Sequence, residues 1–221
     1  GSLETTDVFD FALKFQVTKR RELVMEAEKI NAPGAPAQRA PNALGIYPGM
    51  PAAPRSLSHT VLFVPDQQKG AEWYVERLGF VITDILVPAG PFLRPKANDD
   101  HHTLFFIQTP EYMKGIEHLA FHMGGPTELM VAGSRLARKG FQSFWGPGRH
   151  KFGSNWFWYF NSPLGTHFEY DADMDKHDDS WVARQAAMSP QGTQMFLFEG
   201  RQRWSPGPGP EGITEGEDTP E

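Results

Sequence analysis

The sequence predicts an α+β fold in which two βαβββ modules form one cupped, mixed sheet. Three observations carry that reading. The body of the chain parses twice over as strand, helix and further strands, with Gly or Pro at the junctions. The segments flanking it cannot supply a core: residues 33–55 hold six prolines among Ala and Gly, and Ser205 to Glu221 hold four prolines, an acidic run and only Ile213 as a sizeable apolar side chain. Finally, 221 residues without one cysteine must fold on burial alone, and that length suffices for it.

In chain order, Gly1-Ser2 reads as an expression remnant and is set aside. Leu13, Phe15 and Val17 alternate with Lys14 and Gln16, the period of a half-buried strand, and RRELVMEAEKI after them suits helix or strand. Residues 1–32 are too few for a domain and 33–55 form a Pro/Ala/Gly-rich linker or wrapped arm. The domain proper is expected over 56–200, with modules at about 56–112 and 113–182, and a disordered tail over 201–221. In the first module SHTVLFVP (58–65) is a strand, residues 66–79 a helix closed by Gly79, and FVITDILV (80–87) and HHTLFFIQT (101–109) are strands. In the second, GIEHLAFHM (115–123) is a strand and residues 126–140 a helix with Pro126 at its start and Gly140 past its end. Strands follow at 141–146, 154–160 and 166–172, the last two joined by the turn residues NSPLG.

Charge and composition exclude several functions. With 27 acidic against 21 basic residues and a net charge of −6, a wide phosphate-binding surface is not expected, so nucleic acid is not a partner. The chain shows neither a signal-peptide pattern nor a run of about 18 apolar residues, so it reads as soluble and cytoplasmic, with no membrane partner. Lacking thiolates, any metal must sit on imidazole and carboxylate.

Eight histidines are therefore the residues to follow. Alternate side chains of a strand share a face. His59 goes with Val61 and Phe63; His118 goes with Ala120 and His122, leaving Leu119, Phe121 and Met123 to meet the helix. Glu169 shares a face with His167 and Asp171, Tyr159 with Phe157, and His102 with Leu104 and Phe106. If the modules cup around a common concave face, His59, His118, Glu169, His102 and Tyr159 can converge there. Two imidazoles and a carboxylate with open positions are the set used by non-haem iron(II) oxygenases, although two His and one Glu scattered over a hundred residues make no short signature. His122 and His167 are read as ordinary structural histidines. Trp156, Trp158 and Phe160, on the opposite face from Tyr159, are expected under a helix or in a subunit contact. Phe92, Phe106, Phe144, Trp145 and Phe157 are candidates to line an aromatic pocket, and Arg135, Arg138 and Lys139 form a solvated helix face.

Six stretches, LSHTVLFVPD (57–66), RLGF (77–80), HHTLFF (101–106), IEHLAFH (116–122), WGPGRH (145–150) and YFNSPLGTHFEY (159–170), occur in a familiar order and spacing. Over residues 56–182 the chain resembles the catalytic C-terminal module of the type I extradiol ring-cleaving dioxygenases, of the catechol 2,3-dioxygenase and 2,3-dihydroxybiphenyl dioxygenase kind, in the vicinal oxygen chelate (glyoxalase/bleomycin resistance/dioxygenase) superfamily. The resemblance implies that His59, His118 and Glu169 hold Fe(II), a set that Mn(II) also accepts. It implies that His102 is the acid/base residue beside dioxygen, that Tyr159 hydrogen-bonds a substrate hydroxyl, and that His150 is a second pocket histidine. The implied reaction inserts both atoms of O2 and opens a catechol-type ring next to its two hydroxyls. The implied partners are that small molecule and O2, in a homo-oligomer. Phe152 and Gly153 depart from the family, which often has Asn and Asp there, with Asn155 nearby but not aligned. Family members carry a complete N-terminal module, so the short segment here reads either as the end of a truncated module or as an arm added to a single-module member.

Two other readings of the same fold stand beside this one. A divalent-metal isomerase or glyoxalase-like enzyme would add a fourth ligand, for which the His102 face offers only Gln108. A metal-free protein that sequesters an aromatic ligand would not need His59, His118 and Glu169 together.

Overall fold

The computed structural model describes residues 1–19 and 25–198. The first part of the helix-or-strand stretch, 20–24, and the tail expected at 201–221 lie outside the described residues. A hairpin of β1 (Ser2–Thr6) and β2 (Ala12–Gln16) comes first, with Ser2 paired to Gln16. The first module follows as β3 (Ser56–Val64), α1 (Gln67–Leu78), β4 (Phe80–Val87), β5 (Gly90–Pro95) and β6 (Leu104–Gln108). The second is β7 (Gly115–His122), α2 (Pro126–Arg138), β8 (Ser143–His150), β9 (Trp156–Asn161) and β10 (His167–Ala172). A strap then adds β11 (Arg184–Ala187), the single turn α3 (Pro190–Thr193) and β12 (Gln194–Leu197).

One ten-stranded sheet results, in the order β11-β4-β5-β6-β3-β7-β10-β9-β8-β12. Its centre is the antiparallel pair β3 and β7, the first strands of the two modules. β6 runs parallel to β3 as β10 runs parallel to β7, so the modules are equivalent by an approximate two-fold relation at the centre of the sheet. The strap joins the two outer edges, β11 on β4 and β12 on β8.

Each helix covers the outer face of its own module. Asp66 caps α1 by accepting from the Lys69 amide at 2.9 Å, and Gly79 in the left-handed region ends it. Its buried face, Ala71 and Tyr74, packs with Leu62, Val64, Leu93, Leu104 and Phe106. Phe9, at the tip of the first hairpin, joins this cluster because Gly70 leaves room: a Cβ there would stand 2.8 Å from the Phe9 ring. α2 buries Leu129 and Ala132 against Trp158, Phe160 and Ala172, and Gly133 lets the Trp158 ring lie directly on the helix. Burying a side chain such as Phe106 or Phe160 contributes roughly 1.5–3 kcal/mol. A third cluster, including Val61, Leu86, Phe92, Phe105 and Phe152, lies on the inner face.

The structure corrects the sequence reading at four points. The missing third strand of the first module is β5: its Pro91 and Pro95 read as loop, but only Phe92 and Leu93, between them, pair with β6. His102 does not belong to a strand; β6 begins at Leu104, so the grouping of His102 with Leu104 and Phe106 fails, and Phe106 packs under α1 instead of lining a pocket. Leu119 and Phe121 are only half-buried, because β7 runs between the two helices, and Met123 alone of the three joins the α2 cluster. β2 is a strand, but Phe15 and Val17 are exposed rather than half-buried, since the hairpin touches the body through its tip.

Candidate metal centre and pocket

β3 and β7 each carry a β-bulge, and each bulge carries a histidine. Between the pairs Leu57↔Phe121 and Thr60↔Leu119, β3 takes one residue more than its partner; between Val61↔His118 and Leu62↔Ile116, β7 does. A bulge re-aims side chains and breaks strict alternation. Here it brings the residue before each histidine, Ser58 and Glu117, into reach of the imidazole Nδ1. Ser58 Oγ lies 2.9 Å from His59 Nδ1 and donates to Asp171 Oδ2 at 2.9 Å, so His59 Nδ1–H is the donor to Ser58. Glu117 accepts from His118 Nδ1–H through one oxygen and from His167 Nδ1 at 2.8 Å through the other.

With both Nδ1 positions spent as donors, both Nε2 lone pairs face inward. They lie 3.2 Å apart, and Glu169 Oε2 on β10 is 3.0 Å from His59 Nε2 and 3.3 Å from His118 Nε2. All three side chains are buried, and Glu169 Oε2 receives no hydrogen bond. Burial pulls the His118 imidazole down, but Glu117 and Glu169 outweigh it and raise it to about 9, so a cation bound there would take the place of the Nε2 proton. Burial pushes Glu169 up, yet the surrounding histidines His59, His118 and His150 hold it well below the usual carboxylate range. Glu117 is likewise held at about 2, burial opposing and His118 and His167 prevailing. Three buried lone-pair donors at about 3 Å, each hydrogen-bonded from behind, fit a divalent cation. Asn155 Nδ2 steadies the other carboxylate oxygen of Glu169 at 3.4 Å.

No fourth protein ligand completes the set among the described residues. Glu169 pairs with Ala120, two residues past His118; the equivalent partner of Val61, two past His59, is Phe105. Only one module therefore supplies a carboxylate. Gln108, the fourth ligand considered from the sequence, is exposed and accepts from the Gln67 amide at 2.9 Å near the start of α1, away from the cluster.

His102 stands beside this cluster, its ring 4.2 Å from that of His59. Behind it, Asp84 Oδ2 accepts from His101 Nε2 at 2.9 Å, and His101 Nδ1 faces His102 Nδ1 at 2.9 Å. A carboxylate only accepts, so His101 carries its proton on Nε2, accepts through Nδ1 from His102, and leaves His102 Nε2 as a lone pair. Burial first, then the charges of His59 and His101, pull His102 well below the usual imidazole range, so it rests neutral. Arg184 on the strap binds Asp84 at 2.6 Å. Across the pocket His150 donates from Nδ1 to the Thr193 carbonyl at 3.0 Å, and Tyr159 donates to His150 Nε2 at 3.2 Å.

His59, His118, His102, His150 and Tyr159 line a pocket together with Phe92, Phe144 and Trp145. Phe157 lies just behind, stacked on His150 at 4.0 Å. Trp158 and Phe160 point away beneath α2, as alternation implies. His122, read as structural, bonds Asp171 at 3.0 Å, and His167, also read so, stacks on Phe144 at 3.7 Å and shares Glu117 with His118. Sequence reasoning passed over Ser58, Glu117, His101 and Asp84, and noted Asn155 without a role.

A cupped sheet of paired modules with a three-donor imidazole–carboxylate cluster on its inner face has the make-up of a domain that could hold a divalent metal. The chain belongs to the Glyoxalase/Bleomycin resistance protein/Dioxygenase superfamily, whose description matches residues 56–170. It is 34% identical over 122 residues to metapyrocatechase 2 of Cupriavidus necator, covering 55% of this chain and 38% of that protein. It is 29% identical over 134 residues to biphenyl-2,3-diol 1,2-dioxygenase of Paraburkholderia xenovorans, covering 58% and 44%. The Mn(II)-bound glyoxalase of Novosphingobium aromaticivorans superposes with a TM-score of 0.60 at 30% identity, over 72% of this chain and 48% of that one. The chain thus spans less than half the length of these relatives. No helix among its described residues is long and apolar enough to cross a membrane.

Proposed function

We propose that the domain, over residues 56–200, is an extradiol dioxygenase that opens a catechol-type ring next to its two hydroxyls with both atoms of O2, using Fe(II) held by His59, His118 and Glu169. The observation that carries this is the pairing of a three-donor centre with a buried, neutral His102 whose free Nε2 lies at its edge. A metal bound there would acidify the diol and hold both reactants at one centre. The rest falls to the chain. His150, fixed by the Thr193 carbonyl, is the acceptor at the end of the Tyr159 hydroxyl, and the pair is placed to orient a substrate oxygen and take up its proton. His102 Nε2 takes a proton and returns it; the resulting positive charge is spread through His101 to Asp84.

The likeness to a Mn(II)-bound glyoxalase favours a second reading, a divalent-metal isomerase. Phe105 at the symmetry-equivalent position of Glu169 weighs against the four-ligand set that chemistry would use. Both are tested by loading with Fe(II) under argon, then adding oxygenated buffer and a catechol panel while following dioxygen and visible absorbance. Stoichiometric uptake with a yellow ring-opened product is expected. Bound iron with no uptake for any catechol would overturn the dioxygenase reading and turn attention to the isomerase.

A further inference from the structure

The cavity has two chemically different ends. At one stand His59, His118, His102, His150 and Tyr159, with Thr193 beside them; most of the remaining lining side chains are apolar. Phe92 begins it, edge-on to His102 at 4.9 Å and stacked on Phe105 at 4.0 Å. Phe152 stands edge-on to Phe92 at 6.2 Å, and Leu86 and Met188 complete the surface, Met188 coming from the strap. No lysine or arginine among the described residues lines the cavity. Arg184, beside the Phe152 ring, is committed: it binds Asp84 through its backbone amide, Nε and a terminal nitrogen, and its guanidinium lies 4.8 Å from the centre of that ring. The acidic group at the polar end, Glu117, would repel an anion rather than bind it.

A ring held at the polar end by two oxygens must place any other substituent against this wall. A carboxylate there would lose part of its water and, among the described residues, find no lysine or arginine to pair with, which disfavours the charged form. An alkyl or aryl group would gain from the same surface. Resting on the extradiol reading above, we propose that the site selects catechols with an uncharged, apolar ring substituent, and that Phe152 and Met188 are the side chains that enforce this. Phe152 is buried in the apolar cluster of the inner face, with Val61, Leu86, Phe92 and Phe105, and Met188 packs against it.

The test is binding rather than turnover. With the full chain loaded with Fe(II) under argon, calorimetric titration compares catechol, 4-ethylcatechol, 3,4-dihydroxyphenylacetate and the methyl ester of that acid. The ester and ethylcatechol should bind at least about 100-fold more tightly than the anion. Met188→Arg, at a half-buried strap position outside the metal centre, should tighten the anion relative to its methyl ester by about 10-fold or more. Equal affinity for acid and ester, with catechol bound, would overturn the inference and leave the extradiol reading standing. An arginine at 188 that does not help the anion would overturn the role of Met188. Failure of every catechol to bind the iron-loaded protein would overturn the extradiol reading itself, and this inference with it.

Discussion

At the scale of single residues, each inner imidazole is set by a partner one position before it: Ser58 for His59, Glu117 for His118 and His101 for His102. Glu117 carries the most charge of the three and serves two histidines at once. Glu117→Gln keeps the volume but removes the full negative charge from His118 Nδ1–H, and metal affinity should fall about 10–100-fold in a chelator competition. Unchanged affinity would mean that His118 needs no such support. His102→Ala should behave differently, because that ring sits beside the donors without being one: metal and catechol binding should survive while turnover falls by about 100-fold or more. The inward-facing residues His59, His118, Glu169 and Tyr159 were legible in the sequence because strand alternation places them on faces opposite apolar neighbours. Their supports were not. Ser58 and Glu117 stand on the wrong parity for an unbroken strand, and only the bulges, which pairing across β3 and β7 reveals, turn them inward.

The elements differ in how they are held. The first hairpin depends on its tip, where Asp7 accepts from the Tyr74 hydroxyl at 3.0 Å and Phe9 fills the notch over Gly70. A two-stranded ribbon has little stability of its own. Phe9→Ala should cost about 3–5 kcal/mol in urea unfolding if the hairpin folds with the body. A loss confined to proteolytic sensitivity of residues 1–19 would show instead that it opens separately. This part was half legible: the alternation at 13–17 marked a strand, but nothing local revealed that Phe9 was its anchor. α1 and α2 were legible from Gly79 and Pro126, residues whose capping chemistry acts locally. The strap was not, because β11 and β12 are four residues each and exist only through the edges of β4 and β8. Yet it supplies Arg184 to Asp84, the Thr193 carbonyl to His150 and Met188 to the pocket wall.

Across the whole molecule, charge and metal should each leave a signature in stability. His122 joins β7 to Asp171 of β10 and to Asp100; burial lowers it, but Asp100 and Asp171 outweigh that and raise it to about 10. A group whose folded pKa lies above its unfolded value of about 6.5 stabilises fully below that value. Its contribution is lost as pH rises toward 10, so His122→Gln should flatten the fall in unfolding free energy between about pH 7 and 10. The metal acts across the seam between the modules, since His59 comes from β3 and the other two donors from β7 and β10. An ion bound to the folded chain alone stabilises by about 2.7 kcal/mol at 100 times its Kd. For a body of this size, that is a rise of roughly 5–10 °C in Tm. The rise should grow with the logarithm of metal concentration and vanish in His59→Ala, His118→Ala and Glu169→Ala alike, because each leaves the cation only two of its three protein donors. A variant that keeps the full rise would show that its side chain is not among the ligands, and a wild-type Tm indifferent to Fe(II) and Mn(II) would mean that the three donors do not close on a metal at all.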